Sequence, residues 1–564
     1  MRISVALAHG LGKSCVLRRC ALVTVAGEAL AIGLPAKTPS PLASCSGLDC
    51  RGFYFDGMVL LRCFYPFVTV PVRTRWVLAL ACVVHFAMGA LVGLSVDEAH
   101  YALYAAHPAL SYFDHPPLVG WVQWPLVALD VPTAVLRLLP EALWLGTALL
   151  VFQLAQRLQA VRGQEDKDAA AGHWAVWALA LAPLLHILGM GLLPDTLLMF
   201  LTVALMWLTL DLMHAGRAQA TAPWLVLGVV LGLAGLSKYT AIVPALAVAV
   251  CVVRFHGVRV LASARPWLAV AAAVVLVLPV AVWNIQNDWA SFAYQAQHGA
   301  GGDWTGLHVA RFVLLQLLVY GPLLCFGFVG VVRMGAVPAR ALGWFFVLPM
   351  VVFSVASGGG TSLPHWTAPA WVALAPFAGM ALAQSVQRAK RPWVIGFAWL
   401  QGAACVGLLG LMLSAGLPFV SGSQGQGNSQ SPSNPLADVY GWDAAGQRAL
   451  ALAAQHGLTS VAVQNWTLAS RMGWYARPLP VHVLEDRFTQ FSLWAGDLPV
   501  GADTLLVDWS QLAYTVPLAP HGFAHCEFLD AQDVQRLGTT IANFRFYACR
   551  RWSGSPKPQL KGSS

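Results

Sequence analysis

The stretch "VDEAHYALYAAHPALSYFDHPPLVGW" (residues 96–121) sets four ionisable side chains, Asp97, Glu98, Asp114 and His115, between almost purely apolar flanks. A carboxylate in such a place can act as a general base and take a proton from a hydroxyl group. Asp97 is the candidate for that role. Part of the pattern has a structural reading: "SVDE" is a capping box, in which Ser95 caps a helix and Glu98 bonds back to it. This accounts for Ser95 and Glu98 but leaves Asp97 unexplained. Asp114 stands before Pro116 and Pro117, where it suits a helix start. His115 can serve as a surface histidine, a hydrogen-bond donor to a substrate or a metal ligand. One Asp–His pair falls short of the three or four ligands that a metal site needs.

Other polar groups lie further along the chain. Asp195 follows Pro194 at the start of an apolar run, as a helix cap or as a partner of Asp97. Lys238, in "GLAGLSKYTAIVP", is the anomaly. Charges in or near a membrane are costly and often functional, and a lysine there can hold a phosphate as a point charge. The alternative is a side chain that snorkels to the interface. "WNIQNDW" (283–289), with Asn284, and "LPHWTAP" (363–369), with His365, place amide or imidazole groups beside tryptophan. Such pairs suit a sugar ring, but tryptophan is also common at membrane interfaces. "GLGKSC" fails as a phosphate loop, because Leu7 stands where the first glycine belongs.

The elements that must position these residues are membrane helices. Of 564 residues, 58% are hydrophobic and 10% charged, with a mean hydropathy of +0.63; soluble chains carry roughly 25% charged residues. About twenty apolar residues span a bilayer as a helix. The pattern predicts eleven spans, near 76–94, 134–153, 174–190, 193–213, 223–237, 239–253, 266–283, 308–332, 341–357, 365–383 and 393–415, with an interfacial helix over 117–130. The net charge of +9 arises from residues in short loops, not from a basic patch, so it speaks against a nucleic-acid partner. With the N-terminus in the cytoplasm, Lys and Arg collect in the inner loops, between Arg157 and Lys167, at Arg217, from Arg254 to Arg265, at Arg333 and Arg340, and from Arg388 to Arg391. Lys238 is then the sole basic residue in the outer loops, in accord with the retention of basic loops inside. Residues 95–115, 191–195, 284–307 and 358–365 face outward, as does everything after about 416.

The expected domains are an N-terminal extension (1–57), a transmembrane domain (58–418), a flexible linker (419–435) and an outer α/β domain (436–564). The extension reads either as a secretory signal interrupted by Arg18 and Arg19 or as an over-long start before Met58. The linker contains "SGSQGQGNSQSPSNP". In the last domain, strand-like "SVAVQ", "VHVL" and "TLLVD" alternate with helical stretches such as 443–456. The eleven cysteines are too scattered for a disulfide scaffold. Cys526 and Cys549 form the only pair in the C-terminal region, either as a disulfide in an oxidising compartment or as two separate buried thiols.

Taken together, "VDEAHYALYAAHPALSYFDHPPLVGW", "LLPDTLLMF", "GLSKYTAIVP", "WNIQNDWASF" and "HWTAPAW" resemble the polytopic glycosyltransferases of family 39. These include protein O-mannosyltransferases and the bacterial lipid A aminoarabinose transferase. "YGWDAAGQRA" and "NWTLASRMGWYARP" are similar to segments of bacterial members. The resemblance runs from about residue 76 to the end. It implies a GT-C type α-helical membrane protein that takes a sugar from a polyprenyl phosphate, with inversion, at the outer face of the cytoplasmic (inner) membrane. The C-terminal domain would lie in the periplasm. Asp97 would activate the acceptor, Asp195 would orient acceptor or donor, and Lys238 would bind the donor phosphate. Glu98, Tyr101, Asp114 and His115 would shape the acceptor side, with Tyr239, Asn284 and His365 as further substrate-binding candidates. The acceptor could be lipid A, another envelope glycan or a protein. Some members of the family use a divalent metal; with no obvious ligand cluster here, no essential metal or other cofactor is expected. A transporter or lipid flippase would also carry many spans and intramembrane charges, but its polar residues should gather near the midplane, often with an inverted repeat. A non-catalytic assembly protein would tolerate substitution of the acidic residues.

Overall fold

The computed structural model describes residues 70–555 apart from 165–166, 301, 361, 389 and 415–434. The expected N-terminal extension and nearly all of the expected linker lie outside the described residues. Among those described, eight helices are long and apolar enough to cross a membrane, and ten spans result if each of two bent pairs counts as one. The eleventh expected span is Thr221–Ser237, a helix of 17 residues. The interfacial helix is Leu118–Ala128.

The bends correct the expectation of straight spans at 174–190 and 308–332. Ala170–Ala180 meets Pro183–Met190 at 78°, and Gly306–Tyr320 meets Pro322–Arg333 at 101°. A proline begins the second helix of each pair, and its missing N–H and fixed φ suit a first turn but break a continuous ladder. At the sharper bend Gly321 has φ +79°, which only glycine adopts at little cost. The freed groups find partners: Gln401 Oε1 accepts from the Leu323 N–H, and its amide donates to the carbonyl of Leu181 beside the other break. One polar side chain thus serves both broken helices inside an apolar bundle, where unpaired backbone groups are expensive.

The helix Ala368–Gln387 is almost wholly enclosed. Small residues make that possible. A Cβ at Gly379 would collide with the backbone of Ala171, and one at Gly330 with the carbonyl of Phe377. Neighbouring helices therefore approach closely here, as membrane helices do where side chains are small. In contrast, Ala264–Gln286 and Arg391–Leu413 leave most of their apolar side chains at the surface, as lipid-facing helices must.

The C-terminal region builds a five-stranded sheet from β1 (Val461–Val463), β2 (Val481–Val483), β3 (Thr504–Trp509), β4 (Phe523–Arg536) and β5 (Thr539–Trp552), in the order β2-β1-β3-β5-β4. β1 pairs in parallel with β2 and β3, while β3–β5 and β4–β5 are antiparallel. Alternation along the strands divides the core. Val461, Val463, Leu505 and Val507 share one cluster with Trp442, Leu468 and Met472, whereas Ala462 and Leu506 join another with Phe523 and Trp552. Cys526 and Cys549 lie opposite each other on β4 and β5 and are joined as a disulfide.

The helix Val96–Ala106 fastens this region to the bundle. Ala99, Ala102 and Leu103 pack in the cluster of the sheet domain, while Tyr101 and Tyr104 pack in the membrane cluster. At 100° per residue, Asp97, His100, Tyr101 and Tyr104 fall on one face and the three apolar residues on the other. The short apolar spacing therefore fixes which way Asp97 points.

We expect neither Cys526 nor Cys549 to react with an alkylating reagent in denaturant until a reductant is added. Peptide mass spectrometry showing either residue labelled before reduction would overturn the pairing.

Candidate active site

The capping box expected at "SVDE" forms. Ser95 Oγ accepts from the Glu98 N–H, and the Glu98 carboxylate accepts from the Ser95 N–H. The same carboxylate takes two bonds from Arg137, at 2.7 and 2.9 Å. The remaining guanidinium N–H groups go to the carbonyls of Gly89, Val92 and Gly93, which end the helix Val72–Leu91. Glu98 was expected to shape the acceptor side; the structure commits its carboxylate to the scaffold. Arg137 carried no signal in the sequence, because it falls inside an apolar run.

Asp195 and Lys238 meet in the interior. Lys238 Nζ lies 2.7 Å from both carboxylate oxygens, with the two residues 5% and 2% exposed. The local geometry favours the pair. Asp195 occupies the first turn of Pro194–Asp211, and Lys238 follows the end of Thr221–Ser237. Each charge thus sits at the helix end whose dipole suits it. His365 Nε2 stands 3.8 Å from Asp195, and the Lys238 ammonium lies 5.6 Å from the centre of the Trp366 ring.

The Asp97 side chain is half-buried and makes no hydrogen bond among the described residues. Burial lifts its carboxyl to about 6; His100 opposes the rise, while Asp438, Asp114 and Asp195 add to it. Tyr101 lies within the field of Asp97, Asp114 and Asp195, and burial with those charges holds its phenol protonated, as a donor. Asp114 behaves in the opposite way to Asp97. Burial alone would raise it, but His100, His115 and the Tyr104 hydroxyl outweigh burial and keep it well below the usual carboxylate range. His115 packs against Tyr101 at 5.6 Å between ring centres, and burial depresses it to about 4, so it is neutral near pH 7. Its Nδ1 is enclosed without a hydrogen-bond partner in the structure.

The structure therefore brings together Asp97, Tyr101, Asp114, His115, Asp195, Lys238 and His365 from five separate stretches of chain. Two other candidates belong to the framework. Asn284 is fully buried; its amide donates to the Val280 carbonyl and its oxygen accepts from the Phe292 N–H, which ties two consecutive helices together. Tyr239 bonds to Ser291 at 2.6 Å. Sequence reasoning missed His100 and Tyr104, both bonded to Asp114. Their spacing of three and seven residues from Asp97 was the available signal. Among the described residues, no group of three or more His, Cys, Asp or Glu is placed to hold a metal ion. The central cluster instead mixes carboxylates with an ammonium group.

This arrangement can accept a proton from a hydroxyl at Asp97 and present positive charge at Lys238 to an anion. Comparison with known proteins gives it a context. Residues 114–283 match the dolichyl-phosphate-mannose-protein mannosyltransferase family. The lipid A galacturonosyltransferase RgtD of Rhizobium johnstonii (strain DSM 114642 / LMG 32736 / 3841) is 27% identical over 292 residues, which make up 49% of this chain and 58% of that protein. The crystal structure of ArnT from Cupriavidus metallidurans bound to undecaprenyl phosphate superposes with a TM-score of 0.55 at 18% identity, covering 84% of this chain and 97% of that chain. The apo form of the same enzyme gives 0.51 at 19% identity, covering 77% and 92%. The fold is that of ArnT, and the match over residues 114–283 agrees with the family resemblance read from the sequence.

Truncating Arg137 to Ala leaves Glu98 charged and buried and opens three backbone carbonyls. Loss of one partner of a buried pair costs about 3–5 kcal/mol. We expect a clearly lower melting temperature in detergent for Arg137→Ala, with Arg137→Lys intermediate because it lacks the planar fork. Wild-type melting of the alanine variant would contradict the structural role.

Proposed function

We propose that this protein is a membrane glycosyltransferase that moves a sugar from a polyprenyl-phosphate carrier to an acceptor hydroxyl at the outer face of the cytoplasmic membrane. The observation that carries the reading is the buried Asp195–Lys238 pair set among Asp97, Tyr101, Asp114 and His115. Those residues lie in or beside the stretch that matches the mannosyltransferase family. The relatives named above are transferases and give no support to a transporter.

In this reading Asp97 removes the acceptor proton as the hydroxyl attacks the anomeric carbon. The sugar–phosphate bond breaks in the same displacement, so the anomeric centre inverts, and the polyprenyl phosphate leaves with the bonding electrons. Lys238 meets the charge that develops on the phosphate. Asp195 holds the ammonium with two of its three N–H donors, which leaves capacity for a phosphate oxygen. Tyr101 and the neutral His115 supply hydrogen-bonding groups without adding charge. No step is assigned to a metal. Lipid A is an acceptor for the relative RgtD by its name, and a lipid A or similar envelope glycan is the acceptor class favoured here. The C-terminal domain then stands in the periplasm.

The test uses purified protein in detergent, a panel of polyprenyl-phosphate sugars that includes the galacturonate, lipid A as acceptor, and release of polyprenyl phosphate as the signal. Asp97→Asn should lose at least about a hundredfold in turnover, since general-base catalysis contributes roughly 10²–10⁴-fold. Near-normal turnover by a folded Asp97→Asn would refute the base assignment. Asp97 acts as a carboxylate, so the wild-type rate should fall tenfold per unit as pH drops below about 6. Lys238→Ala should bind donor about 10- to 100-fold more weakly, the worth of one charge-assisted bond. Unchanged donor affinity in a folded variant would remove Lys238 from the phosphate site.

A further inference from the structure

Among the described residues, Leu537 is the most exposed large apolar side chain, at 80%. Those next to it in exposure are Trp399 at 77%, Leu129 at 75%, and Trp76 and Trp393 at 72%. The three tryptophans lie on membrane-spanning helices, and Leu129 closes the interfacial helix Leu118–Ala128. Leu537 belongs to neither. With Gly538 it makes the two-residue turn between β4 and β5, at φ +49° and +78°. Such a turn needs positive φ at both central positions, and asparagine or aspartate is usual at the first. A leucine there crowds its Cβ against the following carbonyl oxygen. The position thus carries two costs, a left-handed leucine and an apolar side chain in water. Its exposure leaves little contact with the protein to offset them.

The turn has a fixed place. Arg536, the last residue of β4, donates to the Leu413 carbonyl at 2.9 Å and stacks its guanidinium on the Tyr440 ring, 4.4 Å from the centre. The Tyr440 hydroxyl donates to the Met412 carbonyl. Met412 and Leu413 end the lipid-facing helix Arg391–Leu413. The last carbonyls of a helix have no partner within it, and a cation suits that end. The helix has 23 residues, a length of about 35 Å against about 30 Å for the hydrocarbon of a bilayer. Its end therefore reaches the boundary between acyl chains and headgroups, and the turn is held there within the length of one arginine side chain. From Val534 to Trp552 the chain contains no Asp or Glu, so the turn brings no carboxylate toward lipid. A single exposed leucine on a soluble surface is ordinary; this one stands where lipid begins. We propose that the β4–β5 turn is a membrane contact: Leu537 inserts among the acyl chains of the leaflet that Leu413 reaches, the outer one in the proposed orientation, while Arg536 stays on the helix end at headgroup level. Burial of the leucine in lipid offsets both of its costs. The contact also completes the support of the C-terminal domain. The helix Trp466–Tyr475, which packs on Val96–Ala106 and on β1 and β2, holds one side of the sheet, and the turn steadies β4 at the opposite edge. The inference is independent of the transfer reaction.

The test uses the full chain in bilayers of phosphatidylethanolamine and phosphatidylglycerol, with Cys526 and Cys549 kept and every other cysteine replaced by alanine. A nitroxide label is attached at Thr539→Cys, an exposed position beside the turn, or at Val500→Cys. Val500 is 71% exposed, and its neighbour Gly501 bonds to Trp552 at the far end of the hairpin. Collisions of each label with oxygen, which concentrates in lipid, are compared with collisions with a water-soluble nickel chelate. With Leu537 intact, the ratio of oxygen to chelate collisions should be higher at 539 than at 500. Leu537→Asn fits the turn and so keeps the fold, but it removes the apolar side chain. It should bring the ratio at 539 down to that at 500. Equal ratios with Leu537 intact would place the turn in water and overturn the proposal. A label at 539 closed to both reagents would mean that another part of the chain covers the turn, which also overturns it. So would a ratio that Leu537→Asn leaves unchanged, because the contact would then not run through the leucine.

Discussion

The orientation of the whole site depends on Arg137. All five of its N–H donors are used, two on Glu98 and three on the carbonyls that close Val72–Leu91. A single planar group thereby joins the end of one membrane helix to the capping box of the next. The chain must turn between Leu91 and Val96, and Arg137 fixes that turn from a third helix. A buried ion pair of this kind adds little net stability over an apolar substitute, because both charges lose their hydration. What it provides is direction: with the fork in place the helix Val96–Ala106 leaves the bundle at one angle, and Asp97 points to one place. A lysine would supply the charge without the geometry.

That helix is also the seam between two hydrophobic cores. Its apolar face belongs to the sheet domain and its polar and aromatic face to the bundle and site. Further bonds cross the seam beside it. The Tyr475 hydroxyl accepts from the Leu94 N–H at 2.9 Å, the Val439 carbonyl accepts from the Gly93 N–H, and Gln490 Oε1 accepts from the Phe113 N–H at 2.7 Å. Each of these holds the loop segments that flank Asp97 and Asp114. The C-terminal domain is thus part of the wall of the candidate site, and its α/β core presents a few side chains rigidly to the loops that carry Asp97 and Asp114.

How much of this was legible in the sequence depended on the range of the interaction. Asp97, Asp195 and Lys238 stood out because isolated charges in an apolar chain need a reason, and the capping box announced itself within four residues. The α/β nature of the last domain followed from short strand-like runs that alternate with helical stretches. The bends at residues 181–183 and 320–322 were harder. Proline and glycine marked both places, but whether a membrane helix kinks or breaks depends on what can satisfy the freed backbone groups. Here that was Gln401, some 80 and 220 residues away. Arg137 was invisible for the same reason. An arginine in an apolar run has no local pattern, and its meaning appears only once folding brings its partners within 3 Å or so. Asn284 shows the converse: it looked like a sugar ligand beside tryptophan, yet both ends of its amide are consumed by backbone.

The charges of the central cluster make sense when the proposed donor and product are compared. A sugar linked through a polyprenyl phosphate is a phosphodiester with one negative charge. The released polyprenyl phosphate is a monoester that gains a second charge as the bond breaks. A cation next to that phosphate therefore interacts more strongly with the transition state than with the bound donor, and such differential binding is what accelerates a reaction. A lysine fully neutralised by its environment would be of little use, and one wholly unpaired would be expensive to bury. Pairing with Asp195 resolves the conflict: the carboxylate stabilises the ammonium in the empty site, yet it engages only two of three donors. The same carboxylate repels a phosphate, and more so as charge develops, so it offsets part of what Lys238 contributes. In the proposed reaction, the net charge that meets donor and leaving group therefore belongs to the pair rather than to Lys238 alone.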